Sequence, residues 1–322
     1  MLKNIIQNFP KQLDFEPVIE NAGSFQKRDK FIVCGMGGSN LAAGIIKSWK
    51  PKSDIIIHRD YGLPAQAGLP EMEEAQSKNY LVVASSYSGN TEETISSFEE
   101  ALARGLPLVA ITAGGKLLEL AQKNNVPYIN FPSINNNPRF AIGYSIRATL
   151  KAMGEESMLN DMSGLAESLS PDDYKTKGKE LAEKLQNKMP LIYSSGTNAG
   201  LARYWKISFN ETAKLPAFYN FVPELNHNEM AGFSGKLKHE FAFMFLNDPD
   251  DDLRIQKRMS ATKKIFEDRG FTVLNIDLAG TSPWHKSFAG IITALWTSHL
   301  LAEHYGVNPE DVSMIEDFKK SL

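Results

Sequence analysis

The chain has 322 residues, 42% of them hydrophobic, enough for two domains of ordinary size with buried cores. A formal net charge of -3 gives no basic footprint for nucleic acid. The single cysteine, Cys34, excludes an intramolecular disulfide and fits a reducing cytoplasm. The first residues, MLKNIIQNFPKQLDFEP, carry Asp14 and Glu16 without a long apolar run, so no signal peptide is expected. No apolar stretch is long enough to predict a membrane span.

In chain order, residues 1–28 read as a helical lead-in, and Phe31-Ile32-Val33-Cys34 as a short strand. That strand runs into Gly35-Met36-Gly37-Gly38-Ser39-Asn40 and a helix over 41–49. Residues 54–58 form a second expected strand and 81–84 a third. A helix follows to residue 103, then a strand over 106–112, a short helix over 115–123 and a strand over 126–131. A turn-rich segment, SINNNP, leads to a helix over 139–153. Strands alternating with helices at this spacing predict a parallel sheet with helices on both faces.

The segment after the third strand carries the chemistry. Ser86, Ser88 and Thr91 surround Gly89, and Glu92 and Glu93 then open a helix. Strand, small-residue turn and helix start aim backbone N–H groups and a positive helix end at an anion. Three hydroxyls around one glycine suit a single phosphate, and a nucleoside-triphosphate loop would carry a lysine that is missing here. An ordinary turn with an N-cap is the competing reading of the same residues.

Residues 154–173 read as a connector and 174–189 as an amphipathic helix. The opening pattern then returns: a strand over 190–194, the small-residue turn Ser195–Gly200, and a helix over 201–213. IVCGMGGSNLAAGIIK and IYSSGTNAGLARYWK read as two versions of one unit, an internal duplication with domains at 1–153 and 154–322. Strands over 217–221, 241–246 and 272–276 and a long helix over 284–304 complete the second copy.

Gly35-x-Gly37 after a strand also invites comparison with a dinucleotide fingerprint, and Asp54 and Asp60 lie near the spacing of a ribose acid. Asn40, however, stands where that fingerprint needs glycine or alanine. The better reading brings the Gly38 backbone and Ser39 to the same phosphate from the neighbouring strand end. No nucleotide cofactor is expected.

Two such sheets, the GMGGS turn and the SxSGxT loop resemble the sugar isomerase (SIS) family, whose members have doubly wound α-β-α sandwich domains. The pair NETAK (210–214) and PELNHNE (223–229) narrows the resemblance to the bifunctional phosphoglucose/phosphomannose isomerases, across essentially the whole chain. The resemblance implies aldose–ketose isomerisation of hexose 6-phosphates through ring opening and an enediolate. Such a reaction needs a base that carries a proton between C2 and C1, an acid that opens the ring, and a cation beside the enediolate.

The resemblance implies Glu211 as the base, His227 as the ring-opening acid, Arg139 near C2 and Lys319 beside the ring oxygen, with Lys320 competing for the last match. Phosphate binding falls to Gly38, Ser39, Ser86, Ser88 and Thr91. From the residues alone, Glu211 also reads as a solvated helix charge, His227 as a turn histidine, Arg139 as a helix-start ion pair and Lys319 as surface charge. Glu229 is a rival base, or the carboxylate that orients the His227 imidazole. His58, His239, His285, His299 and His304 carry no motif, and no cluster has metal-ligand spacing, so no metal is expected.

Family members associate use of both epimers with a threonine near the C-terminus. The tail Gly306–Ser313 has none, and Ser313 as substitute and loss of the role both stay open. A non-catalytic sugar-phosphate sensor keeps the phosphate loop but adds a DNA-binding segment, for which 28 leading residues are too few. An amidotransferase isomerase requires a glutaminase cysteine, whereas Cys34 falls in a strand. The resemblance also implies a homodimer whose histidine serves the partner's site.

Overall fold

The computed structural model describes residues 1–68, 79–134, 137–237 and 239–321. Asn135 and Asn136 of the SINNNP turn lie outside the described residues. The chain divides into two compact units, one of Phe9–Ser168 and one of Met1–Asn8 with Leu169–Leu322.

In the Phe9–Ser168 unit, five strands form one parallel sheet: β1 (Lys30–Cys34), β2 (Asp54–His58), β3 (Tyr80–Ser86), β4 (Leu108–Thr112) and β5 (Tyr128–Asn130). Their spatial order is β2-β1-β3-β4-β5. Ile32, Cys34, Val82 and Ala84 pack against Phe98 and Leu117 of the helices Glu92–Ala103 and Gly115–Lys123. The alternate residues Phe31, Val33, Leu81 and Val83 are buried as well. Burial of both faces explains why these strands read as continuous apolar runs rather than alternating ones. The chain moves outward from β1 to β2 and outward the other way from β3 to β5. The strand order therefore reverses between β1 and β3, which is where an open α/β sheet leaves its crevice.

The second unit repeats the plan with four parallel strands: β6 (Met189–Ser195), β7 (Phe218–Val222), β8 (Phe241–Asn247) and β9 (Thr272–Asp277), ordered β7-β6-β8-β9. Its reversal lies between β6 and β8. The core is aromatic: Phe243 stacks on Phe266 at 4.0 Å, and Tyr193 meets Phe245 edge-on at 5.5 Å. The helix Pro283–Tyr305 is the long expected one, begun by a Ser282 hydroxyl that accepts the His285 N–H.

Three expectations need correction. The lead-in is helical only at Leu2–Asn8 and in 3-10 turns at Phe9–Asp14 and Ala22–Ser24. The expected helix over 174–189 ends at Leu185, and Met189 already pairs in β6. The helix expected over 201–213 is α-helical only through Ser208, and Phe209–Ala213 form a π-helical turn. That turn ends at Lys214 in the left-handed region, φ 54°.

Candidate active site

At the first reversal the hydroxyls form a connected set. After β1, Gly37–Asn40 make a 3-10 turn that presents Ser39, while β3 ends at Ser86. The Ser39 hydroxyl accepts the Tyr87 N–H at 3.0 Å, and the Ser85 hydroxyl donates to the Ser39 carbonyl at 3.1 Å. Ser39 is thereby fixed against β3 with its own O–H left to donate. The Ser86 hydroxyl accepts the Gly89 N–H at 3.1 Å and lies 2.8 Å from the Thr91 hydroxyl. Either hydroxyl of this pair can donate to the other; with fully buried Ser86 as the donor, half-buried Thr91 keeps its own proton. Exposed Ser88 accepts the Asn90 N–H at 3.2 Å and also keeps its proton.

Thr91 sits at the N-cap of Glu92–Ala103 without using its hydroxyl as a cap. The turn is therefore not the ordinary one whose N-cap hydroxyl accepts a helix N–H. Gly89 makes the geometry possible: its φ is 69°, and a Cβ there would lie 1.8 Å from the Gly114 carbonyl oxygen.

Arg139 joins this set from the 3-10 turn Pro138–Ala141. A Cβ on Gly38 would stand 3.0 Å from the Arg139 nitrogen, so the glycine lets the two turns meet. The guanidinium is fully buried, donates to Asn137 Oδ1 at 2.7 Å and lies 4.2 Å from the Phe140 ring centroid. Within this unit, then, Gly38 and Ser39 follow β1, Ser86, Ser88 and Thr91 stand at the end of β3 and just after it, and the Arg139 backbone abuts Gly38.

The other candidates belong to the second unit. Glu211 is half-buried in the π-helical turn before β7. His227 ends the 3-10 turn Glu224–His227 after β7 and is exposed. The five residues of β7 span about 13 Å, so Glu211 and His227 flank opposite ends of one strand. Lys319 and Lys320 lie on the exposed terminal helix Ser313–Lys320, paired with Glu316 at 2.7 Å and Asp317 at 3.1 Å.

Glu229 does not orient His227. One of its oxygens accepts the Tyr193 hydroxyl at 2.5 Å and the other accepts the Asn220 amide. Burial, reinforced by this carboxylate, pushes the Tyr193 phenol well above its ordinary value. Glu229 thus serves the β6–β7 packing.

The second reversal carries a polar cluster that the sequence reading misses. There Ser195 accepts both the backbone and side-chain N–H of Asn198 at 3.2 Å, and Asn198 donates to Asp248 at 3.1 Å. Lys286 bonds Asp248 at 2.8 Å and Asp250 at 2.5 Å, with the Asp248 and Lys286 side chains buried. Burial opposes ionisation of Asp248, but Lys286, the Asp250 N–H and Asn198 together hold its carboxyl below the usual range. A cavity of about 370 Å³ beside it is lined by Asp248, Asp251, Asp277 and Lys263 among others. This strand end therefore carries paired carboxylates where the first reversal carries hydroxyls. The sequence signal was present in Asp248-Pro249-Asp250-Asp251-Asp252, directly after a strand. Among the described residues, no group of three or more His, Cys, Asp and Glu could hold a metal ion. Burial pushes the Cys34 thiol up to about 12, which keeps it inert.

Two duplicated parallel-sheet units with a hydroxyl cradle define a SIS-type protein. The model of the bacterial phospho-glucose isomerase C-terminal SIS domain matches residues 174–322. The fold is shared with tagatose-6-phosphate ketose/aldose isomerase from Escherichia coli, 15% identical with TM-score 0.70, covering 96% of this chain and 94% of that one. A glucose-6-phosphate isomerase like protein from Thermus thermophilus is 18% identical with TM-score 0.64, covering 99% and 95%. The bifunctional phosphoglucose/phosphomannose isomerase of Aquifex aeolicus is 32% identical over 99% of this chain and 97% of its own. That of Caldicellulosiruptor bescii is 36% identical over 91% and 89%. The chain belongs to the family of bifunctional phosphoglucose/phosphomannose isomerases.

Proposed function

We propose that the protein interconverts glucose 6-phosphate and mannose 6-phosphate with fructose 6-phosphate, through ring opening and a cis-enediolate. The observation that carries this reading is the cradle. The hydroxyls of Ser39, Ser88 and Thr91 keep protons to donate, Ser86 locks Thr91, and the Gly38 backbone and buried Arg139 stand beside them. Its chemistry suits a dianionic phosphate with a sugar attached.

In this reading the Phe9–Ser168 unit holds the phosphate, and Arg139 steadies the charge that develops near C2. Glu211 moves the proton between C2 and C1, a task a carboxylate performs by taking it from one carbon and returning it to the next. His227 opens the ring, since an imidazole gives and accepts protons at neutral pH. Lys319, or its neighbour Lys320, stands beside the ring oxygen.

The protein acts as a homodimer in the cytoplasm, with His227 serving the partner's site. Support comes from the placement of Glu211 and His227 at opposite ends of β7 and from the exposure of His227. The test of the activity is a discontinuous assay on fructose 6-phosphate that resolves the two aldose phosphates. Formation of both establishes the reading. Binding of fructose 6-phosphate without turnover makes the protein a sensor instead, and glucose 6-phosphate alone removes the mannose half.

A further inference from the structure

We propose that Lys214 is a positioning residue: its ammonium ties the π-helical turn that carries Glu211 to the loop from which the Lys319 helix starts. The inference rests on the assignment of Glu211 and the tail lysine to one reaction.

Lys214 ends the π-helical turn in the left-handed region, a conformation that a side chain-bearing residue adopts only at a cost. The chain folds back directly after it: the Leu215 N–H reaches the Phe209 carbonyl at 3.1 Å, and the Asn210 amide holds the Leu215 carbonyl at 2.9 Å. This reversal aims the Lys214 side chain back along its own turn. Its Nζ donates to the Glu211 carbonyl, whose position at the end of the turn leaves it outside the helical ladder. The same Nζ donates to the carbonyl of Asp311, 97 residues further along the chain.

Asp311 is the root of the last helix. Its carboxylate accepts the Ser313 N–H at 2.9 Å and the Ser313 hydroxyl at 3.2 Å, and the Ser313 N–H above all holds that carboxyl below the usual range. Two residues, Lys214 and Asp311, thus connect the Glu211 backbone to the first turn of Ser313–Lys320. None of that helix is buried, and Met314, Ile315 and Phe318 are exposed. Its direction is therefore set at its root. Hydrogen bonds from an exposed ammonium add little to global stability, so their loss shows in geometry before it shows in unfolding.

The test combines kinetics with hydrogen exchange on full-length variants. Lys214→Met should lower kcat for fructose 6-phosphate about tenfold with KM little changed, and Lys214→Arg should restore most of it. With Lys319→Ala and Lys320→Ala already in place, adding Lys214→Met should cost less than about twofold. Amides of 313–320 should exchange faster in Lys214→Met while the melting temperature stays put. An equal kcat loss in both backgrounds, or unchanged exchange in the tail, overturns the proposal. If the wild-type protein turns over no hexose phosphate, the functional reading fails and tail exchange alone decides the role of Lys214.

Discussion

Ser86 and Thr91 place their hydroxyl oxygens 2.8 Å apart across the turn that leaves β3. This contact diverts Thr91 from capping its helix and leaves one outward proton on the pair. In the proposed reading this proton and that of Ser88 are charge-assisted donors to a phosphate, each about 1.5–3 kcal/mol. Ser88→Ala and Thr91→Ala together should raise KM for both aldose phosphates by at least about 100-fold, since 1.4 kcal/mol is a factor of ten. Inorganic phosphate should lose potency as a competitive inhibitor in parallel. Unchanged KM for all substrates would remove these residues from the phosphate site.

Gly89→Ala should be far worse than a generic glycine substitution. The added carbon would overlap the Gly114 carbonyl oxygen at 1.8 Å, on backbone with φ 69°. Gly105 is the control: its φ is 60° but nothing lies within 4 Å of a Cβ there. Gly105→Ala should cost about 1 kcal/mol in urea unfolding, and Gly89→Ala more than about 2 kcal/mol together with a raised KM. Equal costs would mean that the loop yields freely around Gly89.

The two candidate glutamates should separate cleanly. Glu211→Gln should lower kcat by about 10²–10⁴ and stop exchange of the C2 hydrogen with solvent, while phosphate inhibitors still bind. Glu229→Gln should keep the chemistry and lose about 1–2 kcal/mol of stability, because an amide donor then faces Asn220. The reverse pattern would make Glu229 the base.

Acid and base should act on the second reversal in opposite senses. Asp248 titrates below its ordinary 3.8 in the folded chain, so its stabilisation is complete above that value and is lost only as pH falls through the depressed one. Asp251 is pushed from 3.8 up to about 6, first by burial, with the Ser195 hydroxyl opposing and Asp248 adding. The folded chain therefore binds that proton more tightly, and stability from this group rises as pH falls from about 6 towards 3.8. Asp251→Asn should be the more stable protein at pH 7.5 by on the order of 1 kcal/mol, after allowance for solvent screening. The advantage should fade by about pH 4 in paired urea titrations. Lys286→Met should cost about 3–5 kcal/mol at neutral pH, since it strands buried Asp248. A difference independent of pH would exclude Asp251 as the titrating group.

Subunit sharing is tested by complementation. Inactive Glu211→Gln and His227→Ala proteins are mixed under conditions that allow exchange. A mixed dimer then holds one site with both residues intact and one with neither, so about half the activity per mixed dimer should return. Demonstrated exchange with no recovery would place both residues within one chain.

The strands and the hydroxyl turn are legible in the sequence because each signal is local. Apolar runs of four to seven residues, a small-residue turn and a helix start are contiguous from Tyr80 to Ala103. The duplicated opening pattern is equally visible, and with it the parallel topology. What escapes is non-local or periodic at the wrong spacing. Asn210-Glu211-Thr212-Ala213 is composed of residues that fit an α-helix, so composition gives no warning of the π-helical turn. Glu229 reads with His227 because the two are close in sequence, yet its partners are Tyr193 and Asn220 on strands β6 and β7. Lys286 meets Asp248 from a helix 38 residues away, a pairing that only the closed fold reveals.

The wide turn at Phe209–Ala213 makes the length of this stretch a functional variable in its own right. Removing Asn210 alone would let the preceding helix run on in ordinary register and swing Glu211 by about 100° around the axis. The carboxylate would still be encoded, on the same stretch of chain, and would face a different azimuth. With Glu211 as the proposed base, insertions and deletions here would fall on chemistry rather than on folding, and a chain that drifted by one residue would keep its sheets and its hydroxyl turn while losing its aim.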